Sequence, residues 1–118
     1  MKLFYDLLEE IRDNPRAFFG ETDIFSFDAF MDGWNVSKSF MNDVEDPREN
    51  RFLGQFGDHI ARKYKCKLTV CFTTVFFMHS IDECEALEKC LDAMIEFRDK
   101  HFKEDEEATY SYYHETDD

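Results

Sequence analysis

Histidine and cysteine are the residue types in this 118-residue chain best suited to metal binding or nucleophilic chemistry, and four of each are present. The cysteines follow one another at spacings of 5, 13 and 6 residues, so no pair has the C-x-x-C spacing typical of zinc sites. We therefore expect reduced, packed thiols and neither a metal nor a cofactor. The residues concerned are Cys66, Cys71, Cys84, Cys90, His59, His79, His101 and His114.

Catalytic motifs are missing from the sequence. It contains no glycine-rich phosphate loop, no G-x-S-x-G and no H-E-x-x-H. His59 follows Asp58 directly, but neighbouring residues on a helix point to different faces, which excludes an acid–base dyad. We predict a protein that is not an enzyme. The histidines are expected to be structural, with His59 and His79 as candidates for the core and His101 and His114 exposed.

The charge balance limits the classes of partner. There are 27 acidic and 14 basic residues, which gives a net charge of −13 and a pI near 4.6. Nucleic acid is excluded as a direct ligand because phosphate binding needs a basic face. A basic protein partner fits better, since opposite charge speeds encounter. No apolar run is long enough to span a membrane and no signal peptide is visible, so we expect a cytoplasmic protein.

Apolar residues recur at the helical period in the first half of the chain. The first helix is predicted near residues 2–13 and ends at Asp13-Asn14-Pro15. Residues 15–21 are expected to form a loop, and its two adjacent phenylalanines should fold back onto the core. Ser26 is the predicted cap of a second helix that reaches about residue 41.

Two further helix starts are marked by capping residues. Asp46 offers a cap to a helix that runs to about residue 64, with proline at its first position. Ser80 begins a capping box that opens a helix near 81–102. The apolar stripes of these helices and of the second helix place a set of large residues in the core, namely Trp34, Phe56, Leu87 and Leu91.

The segment Leu68–Met78 permits two interpretations. Its β-branched residues are typical of a buried strand, yet no second strand pattern offers it a partner. We therefore favour a buried helix and keep a short strand as the alternative. The predicted fold is mainly α, with a single compact domain of four or five helices over residues 1–102. Residues 103–118 carry a net charge of −6 and are expected to be a flexible acidic tail.

Three segments resemble a family of small bacterial proteins, some of which are immunity proteins encoded beside polymorphic or contact-dependent growth inhibition toxins. Asn14–Gly20 is similar to the family's loop after its first helix, although Pro15-Arg16 stands where the family has Pro-Gly. Phe52–Lys65 resembles its central helix. Phe76–Ser80, which leads into the helix Glu83–Phe97, resembles its apolar junction and final helix. The resemblance covers residues 1–100 and leaves out the acidic tail.

The resemblance implies a mostly helical fold and neutralisation of a toxin. We expect an immunity protein that occludes the active site of a cognate toxin, for instance a basic nuclease, with carboxylates in place of phosphates. The alternative is a non-enzymatic interaction or regulatory module that forms homodimers. The predicted partner-binding residues are acidic and expected to be exposed: Glu9, Glu10, Asp43, Glu45, Glu85, Glu88, Asp92, Glu96, Glu104, Asp105, Glu106 and Glu107.

Overall fold

The structure, a computed structural model, describes residues 3–40, 47–67 and 70–102. Within these ranges the chain is helical, contains no strand and forms one domain, so the mainly α prediction is confirmed. A short 3-10 helix, Phe4–Leu7, runs directly into the first α-helix. The α-helices are α1 (Leu8–Asp13), α2 (Pro15–Phe19), α3 (Ile24–Phe40), α4 (Pro47–Lys63), α5 (Phe72–Met78) and α6 (Glu83–His101).

Helix α6 is the central element, because it packs against α1, α3, α4 and α5. Its buried stripe includes Leu87 and Leu91, as the periodicity predicted. Phe56 of α4 is also fully buried. Trp34, expected in the core, is only half-buried, and its indole Nε1 donates a hydrogen bond of 2.6 Å to Oε1 of the buried Glu49. This polar contact holds α3 against α4.

Aromatic rings fill much of the space between the helices. Phe52 of α4 lies 5.0 Å from the Tyr5 ring, 5.4 Å from the Phe102 ring and 6.0 Å from the Phe97 ring, measured between centroids. Such pairs contribute about 0.5–1.5 kcal/mol each beyond the burial of their area. The high phenylalanine content is therefore a core-building feature that joins the beginning and the end of the described chain.

The expectation of a loop at residues 15–21 is wrong. Pro15–Phe19 forms the short helix α2, with the proline at its first position, and Gly20 ends it at a φ of 77°. The expected folding back onto the core is confirmed. Phe18 lies 6.0 Å from the Phe30 ring, and Phe19 lies 5.8 Å from the Phe27 ring.

The predictions that Ser26 and Ser80 cap helices are also wrong, because a nearby aspartate caps each helix instead. Asp23 accepts the Ser26 backbone N–H at 2.8 Å, so α3 begins at Ile24. Asp82 accepts the Glu85 backbone N–H at 2.8 Å and caps α6. Ser80 cannot serve there, since its hydroxyl instead donates to the Phe76 carbonyl at the end of α5.

The uncertain apolar segment is helical from residue 72 onward. Residues 72–78 form α5, which buries Thr73, Val75 and Phe76 against its neighbours and leaves Phe77 and Met78 exposed. The strand alternative is therefore wrong for this part. Residues 68 and 69 lie outside the described ranges, as does the predicted cap Asp46.

Candidate partner-binding surface

Three of the four histidines lie in the described ranges, and two of these are placed differently from the prediction, while His114 lies outside them. His59 is half-buried 5.1 Å from the Phe97 ring, and burial together with nearby Lys63 lowers its pKa. His101, expected to be exposed, is buried 4.8 Å from the Phe97 ring. His79, a candidate for the core, is exposed and stacks on Tyr64. In the described ranges no three histidine, cysteine or acidic residues form a group that could hold a metal ion.

The cysteines differ in exposure. Cys90 is fully buried, and burial raises the pKa of its thiol well above the ordinary value. Cys71 and Cys84 are exposed, so the expectation that they pack among apolar residues is wrong. The Cys71 sulfur lies 3.2 Å from the Thr73 hydroxyl, which donates to Asp28 at 3.3 Å. These contacts join the N-terminal end of α5 to α3.

Of the predicted acidic residues on α1, Glu9 is engaged inside the protein. Its carboxylate accepts two hydrogen bonds from the guanidinium of Arg98, which also donates to the Tyr5 carbonyl at 2.9 Å. These bonds hold the pKa of Glu9 at about 2, below its ordinary value of 4.5. Glu10, one residue later, is exposed. Glu9 thus connects α1 to α6 rather than standing free for a partner.

The four predicted acids on α6 have different surroundings. Glu85 pairs with Lys89 at 3.0 Å, which lowers its pKa, and also accepts the Ile81 backbone N–H. Asp92 pairs with Arg12 at 3.4 Å. Glu88 and Glu96 are exposed, and the described part of the chain shows no ion pair for Glu88. Glu88 is thus available to a partner.

A groove that the sequence did not predict lies between the α2–α3 loop and the start of α6. We call it the acidic groove. Its volume is about 520 Å³. The carboxylates of Asp23 and Asp82 are fixed by their capping bonds, whereas Glu21 and Glu83 are exposed and have no ion pair in the described ranges. It is lined by Glu21, Thr22, Asp23, Phe77, Asp82, Glu83 and Cys84.

A second groove of about 370 Å³ continues this surface along α6, and we call it the adjoining groove. It shares Thr22 and Cys84 with the acidic groove. Its lining residues are Arg12, Pro15, Thr22, Cys84, Leu87, Glu88, Leu91 and Asp92. The structure thereby brings two of the predicted residues, Glu88 and Asp92, onto one surface with four acids that the sequence reasoning missed.

The remaining predicted residues are not on this surface or cannot be placed. Glu9, Glu10, Glu85 and Glu96 line neither groove. The others lie outside the described residues: Asp43, Glu45, Glu104, Asp105, Glu106, Glu107 and the rest of the predicted tail. The missed acids share one sequence signal. They lie at the starts of α3 and α6, where the positive end of the helix dipole favours acidic residues. In the sequence this signal predicts helix capping. The three-dimensional fold is needed to show that the two helix starts are neighbours.

None of the described helices is long and apolar enough to cross a bilayer. The sequence matched no family model and no curated protein, and the fold matched no solved structure.

Proposed function

We propose that this chain is an immunity protein that binds a basic bacterial toxin domain and occludes its active site without any catalytic step of its own. The observation that carries the proposal is the charge of the surface formed by the two grooves. Arg12 is the basic residue among those lining it, and Arg12 already pairs with Asp92. Six carboxylates line the surface: Glu21, Asp23, Asp82, Glu83, Glu88 and Asp92.

Electrostatics explains why such a surface favours a basic partner. Carboxylates at the two helix starts and along α6 project one sign of charge from one side of the protein, and concave walls focus that potential. A toxin that cleaves nucleic acid presents lysine and arginine around its active site, where carboxylates can take the place of phosphates. The net charge of −13 extends the attraction beyond the contact itself.

The alternative function, a homodimeric interaction module, is favoured by a different observation. Several large apolar side chains are exposed, among them Met78 at 69% and Ile81 at 88%, which adjoin the groove residues Phe77 and Asp82 in the sequence. Exposed apolar groups of this kind often mark protein interfaces. Sedimentation velocity separates the two functions, because a homodimeric module sediments as a dimer without any added partner.

The function is tested with the product of the gene immediately upstream, which the proposal predicts to be a toxin domain. That domain should stop growth when it is produced alone, and production of this chain in the same cell should restore growth. Glu88→Lys should weaken the protection, whereas Asp32→Lys makes the same charge change on α3, outside both grooves, and should leave it intact. An upstream product that is harmless by itself, or a toxin that remains lethal beside the wild-type chain, contradicts the proposal.

A further inference from the structure

An apolar patch formed by two exposed aromatic rings, Phe25 and Phe77, lies at the acidic groove. The ring of Phe77 lines the groove and lies 5.0 Å from the ring of Phe25, and these two side chains are 38% and 47% exposed. Met78 follows Phe77 at the end of α5, and Ile81 precedes the cap of α6. Of the five large hydrophobic side chains that are exposed in the described ranges, Val36 is the one that neither lines the groove, contacts a lining residue, nor adjoins one in the sequence.

We propose that this apolar patch is the anchor point of the interface, and that it receives an apolar side chain from a lysine- or arginine-rich segment of the partner protein. The inference rests on the proposed function in one respect, that the partner is a basic protein. It adds the location of the contact and the amphipathic character of the segment. Phe77 and Phe25 form the apolar floor, and the carboxylates of Glu21 and Glu83 flank the basic neighbours of the anchoring residue.

The charge around the patch determines which occupant fits. A second copy of this chain, docked face to face about a twofold axis, would bring the same carboxylates against themselves. The facing carboxylates would repel one another, and removing them from water would add to the free-energy cost of forming the dimer. A basic segment avoids both costs, because its lysine and arginine side chains neutralise the carboxylates and its apolar side chain covers Phe25 and Phe77. The patch therefore selects a partner of opposite charge over self-association.

The capping interactions make the rim rigid. Asp23 is held by both the backbone N–H and the hydroxyl of Ser26, each at 2.8 Å, and Asp82 is held by the Glu85 backbone N–H. Glu21 lies two residues before the cap Asp23 and Glu83 is the first residue of α6, so both carboxylates stand at a capped helix start. A partner then loses little free energy in ordering this side of the interface, which favours affinity.

The test uses a short, fluorescently labelled polylysine peptide with a single central leucine, and the same peptide with alanine at that position. Fluorescence anisotropy gives the affinity of each peptide at about 50 mM and about 300 mM salt. The leucine peptide should bind about fivefold more tightly, because a half-buried leucine gains roughly half the transfer free energy of a fully buried one. Phe77→Ala should abolish this preference, and Phe25→Ala, a change at a 47% exposed side chain that contacts Phe77, should reduce it.

Charge is tested separately by a double substitution and a matched control. Glu21→Gln with Glu83→Gln should weaken binding about tenfold at the lower salt, since each exposed ion pair contributes a few-fold. The loss should shrink at the higher salt because screening weakens both pairs. Asp32→Asn with Glu96→Gln removes the same charge at positions outside both grooves and should change the affinity less than twofold.

Three results would overturn the inference: equal losses in the two double variants, no preference for the leucine peptide, or a wild-type chain that sediments as a dimer dissociated by Phe77→Ala. The proposed function can fail independently. If the peptide binds in the groove as described but the upstream toxin is not neutralised, the immunity function is wrong and the docking site stands. If the toxin is neutralised equally well by the Glu21/Glu83 variant and its control, the function stands and the docking site is wrong.

Discussion

The bridge between Glu9 and Arg98 gives a stability prediction whose size and pH dependence follow from the structure. Glu9→Gln keeps the shape of the side chain but removes its charge and one of the two oxygens that accept bonds from the guanidinium. A pKa of about 2 instead of 4.5 corresponds to an upper bound of about 3.5 kcal/mol, at about 1.4 kcal/mol per unit. Glu9 is 43% exposed at its side chain, so solvent screening reduces this and we expect a loss of about 1 kcal/mol.

The pH dependence has a definite sign. A carboxyl group whose pKa is lowered on folding stabilises the protein above its unfolded pKa, and this contribution disappears as the pH falls through its folded pKa. The stability difference between wild type and Glu9→Gln should therefore be constant from pH 7 to about pH 5 and shrink toward zero near pH 2. Urea unfolding of both proteins between pH 2 and pH 7 measures this difference in the free energy of unfolding.

A matched control separates this bridge from the general effect of removing a negative charge. Glu88→Gln makes the same chemical change at an exposed position with no ion pair in the described chain, and should shift the unfolding free energy by less than about 0.5 kcal/mol. A Glu9→Gln effect no larger than the control's, or one that persists unchanged at pH 3, refutes the reasoning.

Three further predictions concern the core, one helix and the thiols. Leu91→Ala should lower the free energy of unfolding by about 2–5 kcal/mol in urea titrations, because Leu91 is 2% exposed and the substitution leaves a cavity. Gly54→Ala should raise it by about 1 kcal/mol, since a methyl group there meets no atom within 4 Å and alanine favours the helix. Cys84 should react quickly with a thiol reagent in the native state, whereas the buried Cys90 should react only on unfolding.

Helix existence and the buried stripes could be predicted from the sequence, because periodicity and capping are local. The long helices α4 and α6 lie within two residues of their predicted ends, and Leu87 and Leu91 are buried as expected. The exact caps could not be chosen, since a serine and an aspartate within three residues of each other both qualify by type. In both cases the aspartate is the residue that accepts the first-turn N–H, at Asp23 and at Asp82.

The candidate site was less accessible to sequence reasoning. Glu21 and Glu83 line one groove although 62 positions separate them along the chain, and no local pattern relates two helix starts so far apart. Glu9 was expected to be free on a charged face, but long-range pairing with Arg98 engages it. An acidic residue on a helix surface can cap the helix, form an ion pair within the protein or remain exposed to a partner. Which of these it does depends on its neighbours in three dimensions.

The central claim is that the acidic surface receives a basic protein partner, and the salt dependence of association tests it most directly. The association rate of the wild-type chain with the upstream toxin domain should fall at least tenfold between about 50 mM and about 300 mM salt, while the dissociation rate changes much less. The Glu21→Gln, Glu83→Gln variant should show a shallower dependence than the Asp32→Asn, Glu96→Gln control. An association rate that is insensitive to salt, or equally sensitive in both variants, contradicts the claim.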